Sequence, residues 1–248
     1  MRCVHESTLH THNQFLTLTY DNEHLPTGGT LVKKDFQLFM KRLRKSLPKQ
    51  YIRYYQCGEY GDYTHRPHYH ACIFGLNLSD KIQSSTSPSG PVYISDTIYK
   101  LWPLGSHQIG SVTFDSAAYV ARYITKKITG DKAAEHYQSL DLNTGEITQL
   151  LPEYTTMSRH NGGIGMGWYK QFKTDVYPSD EIIMRGKVMR PPRAYDKTLE
   201  IDDPRMLREI KLRRLSFVAK QAANNTTQRL RTREAVASAK LKAKQRTL

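Results

Sequence analysis

Cysteines and long apolar stretches are scarce in this sequence. The three cysteines are widely spaced and form no Cys-x-x-Cys pair, which argues against a disulfide framework and a cysteine-based zinc site. No apolar run approaches the roughly 18 residues of a membrane span, and residues 1–6 lack the apolar core of a secretion signal. We therefore expect a reduced, cytoplasmic compartment and no membrane partner.

A nucleotide-binding loop is also missing from the sequence. The glycine-rich segment 162–167 is not followed by the Gly-Lys-Ser or Gly-Lys-Thr of a phosphate-binding loop. We expect this segment to be a flexible loop, and we expect no nucleotide cofactor. Without such a motif the chain should not unwind DNA itself, so a separate helicase is implied.

Acidic residues are few compared with basic ones. The 248 residues include 37 Lys and Arg against 23 Asp and Glu, a formal net charge of +14 that points to a polyanionic partner such as nucleic acid. Residues 205–248 supply +11 of this charge. We therefore predict one domain over 1–204 and a basic tail over 205–248 that is helical or partly disordered. The tail would clamp DNA, contact a partner or simply be solvated.

The first part of the chain alternates between strand and helix patterns. Residues 15–20 are β-branched, aromatic or aliphatic with a period of two, which predicts a strand. Apolar residues at helical spacing predict a helix over 30–47. Residues 51–59 and 66–75 predict two strands of an antiparallel hairpin, joined through a turn at Gly61.

The segments that follow are less regular. Residues 76–108 are rich in Ser, Pro and Gly in their middle, which predicts a surface insertion. Residues 110–114 predict a short strand, after which Asp115 or Ser116 could cap a helix that runs to about Ile128. The order of the elements predicts an α+β fold, an antiparallel sheet with flanking helices.

A His-x-His pair on the third predicted strand is the strongest chemical signal. Positions two apart on a strand face the same way, so His68 and His70 should project together. The same alternation places Glu59 opposite them if the hairpin closes over residues 60–65. Two imidazoles and a carboxylate suit Mg²⁺, Mn²⁺ or Zn²⁺ and leave positions open for substrate oxygens. The alternative is a pair of strand histidines that only form hydrogen bonds.

The helix predicted after residue 115 carries two tyrosines. Tyr119 and Tyr123 are four residues apart and share a helical face, and Lys126 and Lys127 follow about one turn later. A tyrosine can attack a phosphodiester, leaving a phosphotyrosine link and a free 3′ hydroxyl. A metal or a nearby lysine can offset the charge on the non-bridging oxygens. Alternatively, two tyrosines on a helix are core or interface residues.

These motifs together resemble those of the replication initiators of microviruses, which are small single-stranded DNA phages, and most closely those of the gokushovirus group. Residues 15–26 (FLTLTYDNEHLP) are similar to the first motif of that family. Residues 59–74 (EYGDYTHRPHYHACIF) are similar to the second, the HUH motif, and residues 119–127 (YVARYITKK) to the third. The order and spacing of the second and third motifs make the resemblance specific.

The resemblance implies a fold and an activity. The fold would be the ferredoxin- or RRM-like sheet of HUH endonucleases, with the histidines on a central strand. His68 and His70, with Glu59 as third ligand, would hold Mg²⁺ or Mn²⁺. Tyr119 and Tyr123 would be the nucleophiles. The activity would be to nick and rejoin single-stranded DNA at the origin of rolling-circle replication, in the host bacterial cytoplasm and with a host helicase.

Two alternatives to a replication nuclease follow from the same residues. Relaxases share the chemistry but commonly use three histidines with the tyrosine ahead of them, and the related transposases are usually shorter and have one catalytic tyrosine. A non-enzymatic DNA-binding or packaging protein would need only the basic charge and the aromatic residues. Its DNA binding would survive both chelation and the loss of both tyrosines.

Overall fold

A computed structural model describes residues 1–61, 64–122, 127–142 and 144–243. The chain divides into two compact units, one over residues 2–167 and a second that begins at Trp168. This division comes earlier than the boundary expected at 204/205, which falls at the start of a helix inside the second unit.

A seven-stranded antiparallel sheet forms the centre of the first unit, as the sequence predicts. Its strand order is β4-β5-β6-β1-β3-β2-β9. The strands are β1 (Asn13–Tyr20), β2 (Arg53–Tyr60), β3 (Pro67–Phe74), β4 (Lys81–Ser87), β5 (Gly90–Ser95), β6 (Gly105–Ser111) and β9 (Tyr154–Met157). A separate small hairpin pairs β7 (Gln138–Leu140) with β8 (Ile147–Gln149). β3 lies inside the sheet between β1 and β2, which protects its backbone from solvent on both edges.

Helices cover both faces of this sheet. They are α1 (Arg2–Ser7), α2 (Lys33–Ser46), α3 (Asp96–Leu101), α4 (Phe114–Arg122) and the short α5 (Lys132–His136). The apolar side of α2 and residues of α3 pack on one face, where Phe39, Tyr69 and Trp102 are fully buried. α4 packs on the opposite face, where Phe15, Cys72 and neighbouring residues form a second core.

The helix predicted over 30–47 forms as α2, three residues shorter at its start. The predicted apolar stripe is its buried side, which comprises Phe36, Phe39, Met40 and Leu43. The backbone stays extended through Val32, the residue before the helix. The N–H and the carbonyl of Val32 both bond to the Tyr69 hydroxyl, which anchors the start of the helix to β3.

The prediction of a surface insertion over 76–108 is wrong. This segment contributes β4, β5 and most of β6 to the main sheet, with α3 between β5 and β6. Ile98 and Trp102 are fully buried, and the Trp102 indole donates to the backbone carbonyl of Thr19 at 3.3 Å. Only the β4–β5 turn, where the serines and prolines lie, matches the expected exposure. β4 is an edge strand exposed to solvent, so it needs little apolar alternation.

The glycine-rich segment is anchored to its surroundings, contrary to the flexible loop expected there. The backbone N–H of Gly165 donates to the Glu6 carboxylate at 2.6 Å, and the Arg2 side chain donates to the Ile164 carbonyl at 2.7 Å. Glu6 is completely buried and forms an ion pair with Arg53 of β2 at 3.0 Å. The carboxylate of Glu6 therefore ties α1, the glycine-rich segment and the sheet together.

The second unit is helical with one small hairpin. It holds most of α6 (Met166–Val176), then β10 (Ile182–Met184), β11 (Lys187–Met189), α7 (Arg193–Asp202), α8 (Pro204–Lys220) and α9 (Thr227–Ala243). The basic tail is helical, as predicted. Its apolar stripe is buried only at Leu207 and Ile210, whereas Leu215 and Val218 are exposed. Among the described residues, no helix combines the length and apolar character needed to span a membrane.

Candidate metal and tyrosine site

The β2–β3 hairpin brings Glu59 to the histidine pair, as strand alternation predicts. Glu59 pairs directly with His68, and Cys57 pairs with His70. Because partners in an antiparallel pair face the same side of the sheet, both histidines and the carboxylate project together. Nε2 of His68 lies 2.9 Å from Oε1 of Glu59, and Nε2 of His70 lies 2.8 Å from the same oxygen.

These three side chains meet the geometric requirement for a metal site. One ligand atom from each lies within 4.8 Å of the others. Glu59 and His70 are buried and His68 is partly buried, so water competes little for the same atoms. Two imidazole nitrogens and a carboxylate oxygen are ligands that Mg²⁺, Mn²⁺ and Zn²⁺ accept. Within the described ranges, this is the one group of His, Cys, Asp and Glu side chains that meets the requirement.

The second nitrogen of each histidine is held by a neighbour. Nδ1 of His68 lies 2.9 Å from the backbone carbonyl of Arg66, and Nδ1 of His70 lies 2.9 Å from the Thr17 hydroxyl. A carbonyl can only accept, so Nδ1 of His68 carries a proton. This arrangement leaves Nε2 as the nitrogen that faces Glu59, which is the outer-sphere pattern typical of metal-bound histidines.

The electrostatics of the group favour a cation. Burial alone would raise the pKa of Glu59, but hydrogen bonds from His68 and His70 outweigh it and lower that pKa, so the carboxylate is ionised. A neutral His68 with its proton on Nδ1 turns a lone pair toward this carboxylate. Two acceptors 2.9 Å apart are stable only if the imidazole is protonated or a cation lies between them. The residues therefore fit a divalent metal ion.

Tyr119 lies against the same group. Its hydroxyl donates to Oε1 of Glu59 at 3.4 Å, and its ring stands edge-on to the His70 ring with centroids 5.0 Å apart. Phe15 of β1 stacks on the other side of His70 at 5.7 Å. The tyrosine that the sequence singles out and the predicted metal ligands are thus brought together across 60 residues of chain.

The helix that carries Tyr119 begins and ends differently from the prediction. Thr113 is its cap rather than Asp115 or Ser116: the Thr113 hydroxyl accepts from the N–H of Ser116, and the Ser116 hydroxyl accepts from the N–H of Thr113. α4 extends to Arg122, and Ile128 is not helical. Tyr123 and Lys126 lie outside the described residues, so their predicted roles stay predictions.

Two residues of β1 join the site that the sequence did not single out as site residues. Thr17 and Phe15 both contact His70. Both lie in the segment similar to the first family motif, and the period-two pattern places them on one face of the strand. The missing information was the pairing of β1 with β3, which sets Thr17 opposite His70.

The cysteines take no part in this site. Cys3, Cys57 and Cys72 are all free thiols, as their spacing predicts, and Cys57 and Cys72 are buried below the histidines. Burial raises the pKa of Cys3 to about 11 and that of Cys72 well above its usual value. Neutral thiols are poor metal ligands and nucleophiles, so these residues act as core.

Comparison with known proteins identifies the class. Residues 13–128 match the family model of the replication-associated protein ORF2 and include Glu59, His68, His70 and Tyr119. This part of the chain belongs to that family, and the resemblance to microvirus replication initiators is confirmed. No solved structure matches the chain.

Three phage proteins are similar to the chain over most of its length. It is 34% identical over 213 residues to the replication-associated protein VP4 of Bdellovibrio phage phiMH2K, covering 82% of this chain and 63% of that protein. Identity to the replication-associated protein ORF2 of Spiroplasma virus 4 is 35%, over 76% of this chain and 58% of that protein. For the replication-associated protein ORF4 of Chlamydia phage 1 the values are 34%, 78% and 47%. The chain thus spans about half to two thirds of the length of these relatives.

Proposed function

We propose that this protein is a site-specific endonuclease and strand transferase that acts on single-stranded DNA to initiate and terminate rolling-circle replication. The observation that carries the proposal is the contact between the Tyr119 hydroxyl and Glu59, whose carboxylate also binds His68 and His70. A nucleophile and a set of metal ligands in one partly buried place are what phosphodiester cleavage by tyrosine requires. The replication-associated relatives supply the biological setting.

The reaction would exchange one phosphoester for another. The Tyr119 phenol oxygen attacks the phosphorus and loses its proton, a Tyr–O–P bond forms, and the bond from phosphorus to the 3′ oxygen breaks. The 3′ oxygen leaves and takes up a proton, giving a free hydroxyl. In the reverse direction, a 3′ hydroxyl attacks the phosphotyrosine and the strand is rejoined without an external energy source.

The described residues have separate tasks in this scheme. Glu59 accepts the hydrogen bond of the Tyr119 hydroxyl and so holds the nucleophile beside the histidines. His68, His70 and Glu59 would hold Mg²⁺ or Mn²⁺, which when bound offsets charge on the non-bridging oxygens. The edge-on packing of Tyr119 against His70 restricts the phenol to one direction.

The remaining features of the proposal rest on the sequence pattern. Tyr123 would be the second nucleophile, so that one tyrosine opens the origin and the other acts when the displaced strand has come round. Lys126 would supply further positive charge to the phosphate. The protein would act in the host bacterial cytoplasm, with a host helicase separating the strands and no nucleotide cofactor of its own.

The test is the formation of a covalent adduct. The protein is incubated with circular single-stranded DNA carrying a phage-type origin, with Mn²⁺ or with chelator, and adducts are resolved on a denaturing gel. We expect a metal-dependent adduct that survives in Tyr51→Phe, an exposed control, and is lost in the Tyr119→Phe/Tyr123→Phe double variant. The single variants then show which tyrosine reacts first.

The histidines are tested by a binding measurement that needs no reaction. Calorimetry with Mn²⁺ should show binding to the wild type and to His12→Ala, an exposed control, but not to His68→Ala/His70→Ala. Failure of the wild type to form an adduct on any origin-like strand would rule out the nuclease. DNA binding that is unaffected by chelator or by loss of both tyrosines would then favour a packaging protein.

A further inference from the structure

A cleft of about 580 Å³ opens at one end of the main sheet, beside the first residues of β6. Its walls come from the residue after β1, from the end of β5 with α3, and from the start of β6. The volume is in the range of small-ligand sites. The side chains that give the cleft its chemistry are Asp21, Ile94, Asp96, Tyr99, Lys100 and Ser106.

The cleft lies on the same row of the sheet as the candidate metal ligands. Ser106 of β6 pairs with Thr19 of β1, Thr19 pairs with His68, and His68 pairs with Glu59. Paired residues share a face, so all four side chains face the same side. Two strand spacings separate Ser106 from His68, which is about 10 Å. A strand of DNA at the histidines therefore reaches the cleft with a neighbouring nucleotide.

Arg66 connects the cleft wall to His68. Its guanidinium donates to the Tyr20 carbonyl at 2.9 Å and to the Asn22 side chain, the two residues that flank Asp21. The backbone carbonyl of the same arginine accepts from Nδ1 of His68. The position of Asp21 relative to the histidine is thus fixed by one residue rather than by a free loop.

The lining of the cleft combines apolar surface with carboxylates. The Tyr99 ring is 64% exposed and Ile94 is 42% exposed, so both offer surface that a flat base can cover. Asp21 and Asp96 present carboxylates, which repel phosphate but accept from amines. Hydrogen bonds from His24 lower the pKa of Asp21, which keeps that carboxylate ionised. Lys100 supplies a positive charge for the sugar–phosphate backbone.

We propose that the cleft binds one unpaired base of single-stranded DNA and selects a base with an exocyclic amine. The base stacks on Tyr99, and its amine donates to the carboxylates of Asp21 and Asp96. Thymine is disfavoured because it presents a carbonyl oxygen where cytosine presents an amine, and two acceptors repel each other. The inference rests on the proposed function, because it is the histidine site that brings DNA to this row of the sheet.

The test measures binding without chemistry. Fluorescence anisotropy of labelled oligocytidine and oligothymidine of about 12 nucleotides is recorded with the full chain in chelator. We expect Tyr99→Ala to weaken oligocytidine binding at least about fivefold, the loss of one stacked base. The matched control is Tyr51→Ala, an equally exposed tyrosine (57%) outside the cleft lining, which should bind like the wild type.

The carboxylates are tested by the base preference rather than by affinity. The wild type should bind oligocytidine about five- to tenfold more tightly than oligothymidine. In Asp21→Asn/Asp96→Asn the preference should fall to about twofold or less, since an amide can pair with either base. Asparagine at these exposed positions preserves size, and circular dichroism confirms that each variant is folded.

The outcomes separate this inference from the proposed function. If the wild type forms the tyrosine adduct but Tyr99→Ala binds DNA as well as Tyr51→Ala does, the cleft proposal fails and the nuclease stands. An unchanged preference for cytosine in the double asparagine variant likewise overturns the role of the carboxylates. If no adduct ever forms but Tyr99→Ala alone loses affinity, the cleft binds DNA and the nuclease proposal fails.

Discussion

The hydroxyl of Thr17 should control the metal affinity of His70. It is the acceptor that favours the tautomer with its proton on Nδ1, at 2.9 Å, and so leaves the Nε2 lone pair available. In Thr17→Val the shape of the side chain is preserved but this acceptor is lost. A neutral His70 would then place its proton on Nε2, where it can donate to Glu59, and a metal would have to displace that proton.

The size of the effect follows from burial. His70 is only 5% exposed, so water does not readily replace the lost partner, and an unsatisfied buried donor costs about 1–3 kcal/mol. Loss of an outer-sphere partner typically lowers metal affinity about 10- to 100-fold. Because the Thr17 hydroxyl is neutral, we expect the lower end, about tenfold, which corresponds to about 1.4 kcal/mol.

The assay is calorimetric titration of Mn²⁺ into wild type, Thr17→Val, Thr17→Ser and Thr19→Val. Thr17→Ser keeps the hydroxyl and should restore the affinity. Thr19→Val makes the same change two residues later on the same face of β1, opposite His68, and should bind like the wild type. Equal affinity of Thr17→Val and wild type, with both folded, would refute the assignment of Thr17 as a positioning residue.

Two further predictions concern stability. Trp102→Ala should lower the free energy of unfolding by about 3–5 kcal/mol in urea titrations, because the fully buried indole packs against Tyr20, Tyr69 and Phe39; a change below about 1 kcal/mol would mean that 76–108 is a dispensable insertion after all. Glu6→Gln should cost about 3–5 kcal/mol at neutral pH, because it leaves the Arg53 guanidinium buried without its counter-ion. Burial would raise the pKa of Glu6, but bonds from His10 and Gly165 and the charge of Arg53 lower it below the usual 4.5. The wild type should therefore lose this advantage as pH falls below about 4.5, while the variant loses less; parallel pH profiles would contradict that account.

Local patterns in the sequence determined much of the fold and part of the site. The apolar period of α2, the alternation along β1, and the pairing of Glu59 with the histidines could all be predicted. Each depends on neighbours in a helix or a hairpin, where spacing along the chain sets position in space. The identity of the residues facing together was therefore available before any tertiary contact was known.

The tertiary structure decided the features that depend on strands and helices far apart in sequence. β4 carries little apolar alternation because it is an exposed edge, so only its pairing with β5 reveals it as part of the sheet. Thr17 reaches His70 across 53 residues, and Tyr119 reaches Glu59 across 60. The cleft exists only where β1, α3 and β6 meet. Sequence periodicity specifies which way a side chain faces, but which strand lies beside it is set by packing of the whole sheet.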